Sequence, residues 1–411
     1  MDTFRAISQE DLRGGVAPWS VGVPRAIRQP LAGPLVVDVL IVGGGITGSM
    51  MAHQLVRPDR TVCVIDRERP GFGSTAASTA MLEWEIDRSL SELAEIYGFE
   101  RAAEIYQLSY RAVAGLYGLV QSLDQPTALQ PRDTVYLAAG DQGARALLAE
   151  HEVRQRAGLP GVFLDYRELR REYGFEREAA IVSPGSAEAD PLRLSHALLN
   201  AAAARGAMLY DAEARRYDRA GRRLIVETDE GHTIEAGAVV LATGYTLPDI
   251  VKSDLHKTVS SWVVGTVPQA PETLWRDNAL IWEAAAPYLY ARTTTQHRII
   301  IGGEDDDKIV DPDARDEMMP AKAEILVEKL QRLWPQATAI AEYVWSGAFS
   351  TTVDGLPLIG PVPAHPGIYA AYGYGGNGIT FSYMASQMIA RMIDGQMLAA
   401  FEHFALDRNP V

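Results

Sequence analysis

Val36-Val37-Asp38-Val39-Leu40-Ile41-Val42 is followed directly by Gly43-Gly44-Gly45-Ile46-Thr47-Gly48, and this stretch decides the fold. The apolar run predicts a buried strand, the glycines a tight turn, and the residues from Ile46 onward a helix. Glycines at 43, 45 and 48 match the dinucleotide-binding fingerprint, in which they serve the turn, the close approach of a pyrophosphate and the packing of helix on strand. The positive end of such a helix favours phosphate.

A second strand completes the fingerprint. Thr61-Val62-Cys63-Val64-Ile65 is apolar and ends at Asp66, followed by Arg67. The fingerprint expects an acidic residue about 20 residues after the glycines, where it bonds a ribose hydroxyl. A glycine triplet alone could be a structural turn, but strand, glycines, second strand and terminal acid occur here in order. We therefore predict a nucleotide-binding α/β domain.

Composition excludes several classes of protein. The 411 residues include 38 basic and 53 acidic side chains, which give a net charge of −15. This charge disfavours a nucleic-acid or anionic membrane partner. Cys63 is the only cysteine, so neither an internal disulfide nor a cysteine-rich metal site is predicted. The amino-terminal residues show no apolar signal-peptide core and no run is long enough to span a membrane, so we expect a cytoplasmic protein.

Two further segments are predicted to reach the nucleotide. Gly73-Ser74-Thr75-Ala76-Ala77-Ser78 offers hydroxyls and backbone N–H groups just after the second strand. Ala238-Val239-Val240-Leu241-Ala242 is wholly apolar and ends in Thr243-Gly244. Such a strand belongs to a parallel sheet, whose carboxyl edge forms the ligand crevice.

The elements divide into two domains. The length exceeds what one core usually serves. We predict a Rossmann-type domain interrupted by an α+β substrate domain with a mixed or antiparallel sheet. The predicted boundaries are an arm at 1–34, the nucleotide domain at 35–84, 166–249 and 346–400, the substrate domain at 85–165 and 250–345, and a tail at 401–411.

Glycines 373, 375 and 378 repeat the fingerprint spacing late in the chain. A second nucleotide site is disfavoured because no strand ending in an acid follows. The interpretation we favour is a helix amino terminus that faces a flavin ring and stabilises negative charge on the reduced ring. An ordinary glycine-rich turn with Asn377 as the helix N-cap is the alternative.

Together these motifs resemble the FAD-dependent oxidoreductases related to D-amino acid oxidase, in the branch of glycine, sarcosine and gamma-glutamylputrescine oxidases. The resemblance rests on the first fingerprint, Gly-Ser-Thr-Ala-Ala-Ser, Leu-Ala-Thr-Gly, Asp354-Gly-Leu-Pro-Leu-Ile-Gly360 and Gly373-Tyr-Gly-Gly-Asn-Gly378. It implies an FAD enzyme that oxidises a carbon–nitrogen bond of an amine or amino acid by hydride transfer to flavin N5, giving an imine that hydrolyses.

The resemblance also implies which residues contact FAD. Asp66 is expected at the adenosine ribose, the Ser74 stretch at the pyrophosphate and flavin, and residues 376–380 at the pyrimidine end of the ring. The complete predicted set is Gly43, Gly45, Ile46, Thr47, Gly48, Asp66, Arg67, Gly73, Ser74, Thr75, Ala76, Ala77, Ser78, Ala214, Thr243, Gly244, Gly347, Gly375, Gly376, Asn377, Gly378, Ile379 and Thr380. Relatives with covalent flavin carry a Cys near Gly347 or a His in the Ser74 stretch, so their absence here implies noncovalent FAD.

Candidates for the substrate site are fewer. Arg292 matches a strand arginine that grips a substrate carboxylate in several relatives, and a guanidinium can orient a carboxylate through two hydrogen bonds; an interdomain salt bridge is the alternative. Tyr245, Tyr290 and Tyr374 are candidate pocket walls, although each could equally be core. Two other functions remain open, an NAD(P)H-dependent flavin monooxygenase and the flavin subunit of a larger dehydrogenase. The amine, the electron acceptor and the oligomeric state are not predicted.

Overall fold

The computed structural model describes residues 8–23, 29–285, 288–309 and 311–410, which form two β-sheets flanked by helices. The strands are β1 (Arg13–Gly15), β2 (Leu35–Val42), β3 (Val62–Asp66), β4 (Met81–Leu82), β5 (Gln130–Leu137), β6 (Val162–Asp165), β7 (Ala179–Glu188), β8 (Met208–Asp211), β9 (Ala214–Ala220), β10 (Arg223–Thr228), β11 (Thr233–Leu241), β12 (His256–Thr266), β13 (Leu280–Glu283), β14 (Leu289–Thr293), β15 (Ile299–Asp306), β16 (Ala341–Thr352), β17 (Leu358–Pro361) and β18 (Ile368–Tyr372).

The α-helices connect and cover these strands. They are α1 (Gln9–Leu12), α2 (Ile46–Leu55), α3 (Ser74–Ala77), α4 (Leu90–Tyr97), α5 (Phe99–Gln121), α6 (Ala144–Arg156), α7 (Tyr166–Tyr173), α8 (Pro191–Ala204), α9 (Pro312–Glu317), α10 (Met319–Leu333) and α11 (Gly378–Ile393). Short 3-10 helices occupy Pro18–Ser20, Pro271–Thr273, Arg276–Asn278, Gly375–Asn377 and Ala399–Phe404. Among the described residues, no helix combines the length and apolar character needed to cross a bilayer.

The smaller sheet confirms the predicted nucleotide-binding architecture. Its centre consists of parallel strands in the order β18-β11-β2-β3-β8. β2 and β11 are nearly continuous apolar runs because helices and neighbouring segments bury both faces. All carboxyl ends of these parallel strands meet at one edge, and α2 begins at that edge after the glycine turn.

The larger sheet has ten strands and is mostly antiparallel, in the order β1-β16-β12-β15-β14-β13-β5-β7-β4, with β6 paired to β7. Helix α10 covers one face and buries Leu326 and Leu330 against the sheet residues Trp262 and Ile301. The predicted substrate-domain strands between residues 279 and 301 all lie in this sheet.

Three predicted boundaries do not coincide with the division between the sheets, because β4, β7 and the end of β16 lie in the large sheet although 35–84, 166–249 and 346–400 were assigned to the nucleotide domain. The prediction assigned 166–249 to the nucleotide domain, yet β7 pairs with β5 and β6 in the large sheet, with Val135 opposite Val182. The nucleotide portion resumes at α8, which begins at Pro191 behind the N-cap Asp190. The sequence of β7 is apolar enough for either sheet, and only its pairing partners decide where it lies.

The described parts of both predicted end segments pack on the body, whereas residues 1–7, 24–28 and 411 lie outside the described residues. In the arm, β1 adds an edge strand to the large sheet, with Gly14 opposite Ser346. The segment predicted as a tail buries Phe404 and Leu406. It also contains Arg408, which donates to both carboxylate oxygens of buried Asp354 at 2.7 and 2.8 Å. Residues 399–408 are therefore part of the folded core rather than a tail.

Candidate active site

A cavity of about 840 Å³ runs from the carboxyl edge of the parallel sheet to the face of the large sheet. Its volume lies in the range typical of cofactor and ligand sites. Val42, Asp66 and Thr243 line it at the first end, where β2, β3 and β11 terminate. Ser261 of β12 and Tyr290 of β14 line it at the second end. The crevice therefore lies where an open parallel sheet is expected to bind its ligand.

The glycine turn has the geometry that the fingerprint requires. Gly43 has φ +107°, and a Cβ there would clash with the Ala242 carbonyl oxygen. A Cβ on Gly48 would clash with the carbonyl oxygen of Gly43, so the third glycine lets α2 pack against the turn. Gly45 lines the cavity, where only Thr75 Oγ1, at 3.2 Å, lies near a hypothetical Cβ. The turn thus leaves backbone accessible to a ligand.

Asp66 occupies the tip of β3 as predicted. Its Oδ2 accepts from the Gly44 N–H at 2.7 Å and its Oδ1 from the Glu68 N–H at 2.9 Å. Burial raises the pKa of Asp66, while these backbone hydrogen bonds and Arg67 oppose the rise. The side chain lines the cavity at the end where Arg67, Arg215 and Arg216 also lie.

Hydroxyl groups in the cavity wall match a polar ligand. Thr75 Oγ1 accepts from the Ile46 N–H at 3.0 Å and ties α3 to the start of α2. By contrast, Ser74 Oγ, Thr243 Oγ1 and Thr246 Oγ1 are buried and make no hydrogen bond within the described structure. Buried hydroxyls are normally satisfied, so these three fit a cofactor rich in hydrogen-bonding groups.

The late glycine segment reaches the same cavity from the opposite side. Gly375, Gly376, Asn377, Gly378 and Ile379 line it, and α11 begins at Gly378. Asn377 makes no capping bond to this helix. Its amide instead donates to the carbonyl oxygens of Glu83 and Glu85, at 3.2 and 2.7 Å, and fixes that segment against the helix start.

Most predicted cofactor residues line this one cavity. They are Gly43, Gly45, Ile46, Thr47, Asp66, Arg67, Gly73, Ser74, Thr75, Ala77, Ser78, Ala214, Thr243, Gly244, Gly347, Gly375, Gly376, Asn377, Gly378 and Ile379. Gly48, Ala76 and Thr380 do not line it; the last two are 1% exposed, and Thr380 Oγ1 donates to the Glu83 carbonyl oxygen at 2.9 Å. Of the substrate candidates, Tyr245, Tyr290 and Tyr374 line the cavity.

Arg292 does not line the cavity, contrary to the predicted role in carboxylate binding. It is 3% exposed, and its Nη1 donates to the carbonyl oxygens of Ala80 and Ala189 at 3.2 and 3.1 Å. The same nitrogen lies 3.7 Å from Glu188 Oε2. Arg292 shares a strand face with Tyr290, but the segments that carry these carbonyls cover it. These contacts join β14 to β7 and to the residue before β4, all within the large sheet.

Sequence reasoning missed an acidic wall formed by Glu83, Glu85 and Asp87, all of which line the cavity. They alternate with Trp84 and Ile86, which are 0% and 1% exposed on the opposite side. Such alternation is typical of a segment with one face in water, whereas here the polar face borders the cavity. This alternation of acidic and apolar residues was the sequence signal from which the wall could have been predicted.

The electrostatics of this wall depend on burial. Asp87 is accessible from the cavity but surrounded by protein, and burial raises its pKa to about 6, against the hydrogen bond from the Gly376 N–H. Burial and the neighbouring Glu85 and Asp87 carboxylates raise the pKa of Glu83 well above its usual value. Burial also raises the pKa of Glu85, opposed by Arg154 and by the Thr134 hydroxyl, which donates at 2.5 Å.

Aromatic side chains complete this end of the cavity, and the sequence analysis had not selected two of them, Trp282 and Tyr288. Trp282 stacks on Tyr136 with ring centroids 3.8 Å apart, and Tyr288 lies 5.8 Å from Tyr290. A Cβ on Gly376 would lie 2.8 Å from Asp87 Oδ1 and 3.7 Å from the Tyr288 hydroxyl, so acids, tyrosines and glycine segment are neighbours.

Comparison with known proteins gives a consistent assignment. The family model described as FAD dependent oxidoreductase (DAO) matches residues 38–392. Gamma-glutamylputrescine oxidoreductase of Escherichia coli (strain K12) is 25% identical over 379 residues, covering 90% of this chain and 86% of that protein. Glycine oxidase of Geobacillus kaustophilus (strain HTA426) is 25% identical over 378 residues, covering 87% and 93%.

Solved structures show the same fold. The crystal structure of glycine oxidase from Geobacillus kaustophilus superposes with a TM-score of 0.76 at 23% identity, covering 91% of this chain and 99% of that one. The crystal structure of L-proline dehydrogenase from P. horikoshii gives a TM-score of 0.73 at 20% identity, covering 90% and 97%.

Proposed function

This chain belongs to the DAO family of FAD-dependent oxidoreductases, and we propose that it oxidises a carbon–nitrogen bond of a small amine or amino acid. The observation that carries the proposal is the single cavity that joins the glycine turn at Gly43 to the glycine segment at Gly375. A molecule lying along it would have its nucleotide at the parallel sheet and its reactive ring near the end lined by Ser261, Trp282, Tyr288 and Tyr290, which we call the chamber.

The residues present fit FAD. The unpartnered hydroxyls of Ser74, Thr243 and Thr246 and the open backbone at Gly45 supply a polar cradle, and Asp66 lies where a ribose is expected. When bound, FAD supplies an acceptor for the hydride that leaves the carbon next to nitrogen. The cavity lining assigned within the described residues includes neither Cys nor His, which supports noncovalent attachment.

The chain's own contribution to the reaction is mainly positional. Tyr245, Tyr290 and Tyr374 surround the chamber, and burial raises the pKa of each, so they remain neutral hydrogen-bonding groups at physiological pH. Oxidation removes a hydride from carbon and a proton from nitrogen, and water then converts the imine to a carbonyl compound and a free amine. Enclosing and orienting the amine is the largest contribution that a protein can make to the rate of such a step.

The test is flavin reduction without oxygen. We expect the purified protein to bind FAD, to release it intact on acid precipitation, and to lose its flavin colour when an amine substrate is added under argon. The panel should contain primary and secondary amines and amino acids, and NAD(P)H as a separate arm. Failure to bind FAD, or reduction by NAD(P)H alone, would contradict the proposal, and the latter result would favour a monooxygenase.

A further inference from the structure

The two ends of the cavity differ in their charged side chains. At the nucleotide end the lining contains the basic residues Arg67, Arg215 and Arg216 together with the acids Asp66, Glu68, Glu213 and Asp249, and Arg215 approaches Glu213 at 2.8 Å. At the chamber end, within the part of the chain that the structure describes, the lining contains the three acids of the wall but no lysine or arginine. A cation in the chamber would therefore meet carboxyl groups that no basic residue of the described lining neutralises.

The acidic wall is held rigidly. Asn377 and Thr380 bind the backbone carbonyl of Glu83, and Asn377 also binds that of Glu85. The Gly376 N–H donates to Asp87 Oδ2 at 2.9 Å. With its backbone anchored to the start of α11, the segment presents its carboxylates to the cavity in fixed positions.

Two carboxylate oxygens of this wall lack close hydrogen-bond partners. Glu85 is 2% exposed and lines the cavity, and its Oε2 makes no close hydrogen bond within the described structure. Glu83 Oε1 is likewise buried and unpartnered. Arg154 compensates Glu85 from behind, with Nη1 3.6 Å from Oε1, but it is shared with Glu150. Buried carboxylate oxygens without partners are costly unless a ligand satisfies them.

A positively charged ligand would satisfy these groups. The chamber also presents Trp282, Tyr288 and Tyr290, whose rings can contact an alkyl chain and attract a cation over their faces. A metal ion does not fit, because among the residues described no three carboxylates, imidazoles or thiols stand close enough to hold one. For an amino-acid carboxylate, the described lining of the chamber offers no lysine or arginine as a partner.

We propose that the substrate is an amine that carries a second cationic group, which the carboxylates of Glu83 and Asp87 bind in the chamber. This proposal rests on the proposed function and specifies its substrate class. The amine that is oxidised loses a hydride and a proton as described above, whereas the second cation stays chemically unchanged and only fixes the position of the first.

A series of matched compounds tests this with the FAD-loaded wild-type protein. Butylamine, 1,4-diaminobutane and 4-aminobutanoate share a four-carbon chain and differ in the distal group, which is neutral, cationic or anionic. Diamines of three, five and six carbons extend the series. A charge-assisted contact in a buried site corresponds to roughly a tenfold to hundredfold difference in affinity. We therefore expect anaerobic flavin reduction to half-saturate at a concentration roughly tenfold lower for the best diamine than for butylamine, and higher still for 4-aminobutanoate.

Substitutions in the acidic wall test whether its carboxyl groups cause the preference for a diamine. Glu83→Gln and Asp87→Asn should each raise the half-saturating concentration of the diamine by a larger factor than that of butylamine. Glu230→Gln, in an exposed turn between β10 and β11, is the control and should leave all values unchanged. As a readout independent of turnover, the diamine should raise the Tm of the loaded wild-type protein more than butylamine does, and this difference should shrink in the two wall variants.

The outcomes separate this proposal from the function on which it rests. If amines or amino acids reduce the flavin but 4-aminobutanoate or an α-amino acid is preferred over every diamine, the cationic-substrate proposal is wrong and the oxidase assignment stands. If FAD binds and no compound in the panel reduces it, the oxidase assignment fails and the substrate proposal fails with it.

Discussion

Gly43 and Gly45 require glycine for different physical reasons. Gly43 has φ +107° and has no room for a Cβ, so any side chain there strains the fold itself. Gly45 has φ −72°, which any residue tolerates, and its Cβ would meet only Thr75 Oγ1. Gly43 is thus required by the fold, whereas Gly45 is required for the ligand to approach the backbone.

Gly45→Ala should therefore fold normally but bind FAD weakly. We expect the Tm of the apoprotein to stay near the wild-type value and the FAD dissociation constant, from equilibrium dialysis, to rise at least roughly tenfold, because the added methyl occupies the pyrophosphate cradle. Gly33→Ala, where no atom of the described residues lies within 4 Å of the new Cβ, is the control. Wild-type FAD affinity in Gly45→Ala would show that the pyrophosphate lies elsewhere.

Arg292 leads to the opposite expectation, a change of stability without a change of specificity. Arg292→Ala removes a charged donor to the carbonyls of Ala80 and Ala189 and one of the two cations beside the buried Glu188 carboxylate, which keeps Arg132 at 2.9 Å. Because Glu188 keeps this partner, we expect the loss of these buried charge-assisted hydrogen bonds to cost about 1.5–3 kcal/mol of unfolding free energy. Arg193→Ala, at a side chain 58% exposed, should cost below about 1 kcal/mol. If Arg292→Ala instead strongly raised the half-saturating concentration of an acidic substrate and of no other substrate, Arg292 would have the carboxylate-binding role predicted from the sequence.

At the scale of elements, the short helix α3 depends on segments far away in sequence. Trp19 of the amino-terminal arm donates from Nε1 to the Ala76 carbonyl oxygen at 2.7 Å, and Trp345 of β16 donates to that of Ala77 at 2.9 Å. The two rings meet edge to face, 5.5 Å apart. The arm and the large sheet together hold the helix that carries Ser74 and Thr75.

Trp19→Phe should weaken FAD binding without touching the cavity, because it removes one donor and keeps most of the ring. The loss of one such hydrogen bond is worth about 1 kcal/mol, or about a fivefold change in an equilibrium constant. We expect the FAD dissociation constant to rise by about that factor, measured by equilibrium dialysis. Val21→Ala, on a side chain 57% exposed in the same arm, should leave it unchanged.

At the scale of the whole molecule, Asp354 and Arg408 join segments that are distant in the chain. Arg408 binds both oxygens of Asp354 and the carbonyl oxygens of Leu356 and Pro357, and the Tyr97 hydroxyl donates to the same carboxylate at 2.6 Å. Burial alone would raise the pKa of Asp354, but the hydrogen bonds and charge of Arg408, with the Tyr97 hydroxyl, lower it below its usual value.

Arg408→Ala should lower the free energy of unfolding by about 3–5 kcal/mol, because it strands a buried carboxylate. Since the folded-state pKa of Asp354 is depressed, the stability from ionising it is present above an unfolded pKa of about 4 and is lost as pH falls through the folded value. Denaturant unfolding between pH 7 and 3 should show that Asp354→Asn lacks this acid-sensitive component. The exposed-pair control Arg332→Ala should change stability by below about 1 kcal/mol.

The nucleotide half of the site can be predicted from the sequence more completely than the substrate half. The glycine turn, Asp66 and the Ser74 stretch obey local rules of turn, strand and helix, and each can be recognised from neighbouring residues. The acidic wall cannot be recognised in this way, because Glu83-Trp84-Glu85-Ile86-Asp87 has the same alternation whether its polar face borders water or a cavity. The position of Arg292, the sheet that contains β7 and the packing of Arg408 depend on contacts between residues more than 40 positions apart.

The two tryptophans that hold α3 also provide an optical signal. Because Trp19 and Trp345 lie against the helix that borders the cofactor cavity, a flavin placed there would accept excitation energy from both indoles and quench their emission. Cofactor uptake could then be followed in real time from ultraviolet fluorescence, with Trp19→Phe removing one of the reporters, to which Trp282 in the cavity lining also belongs.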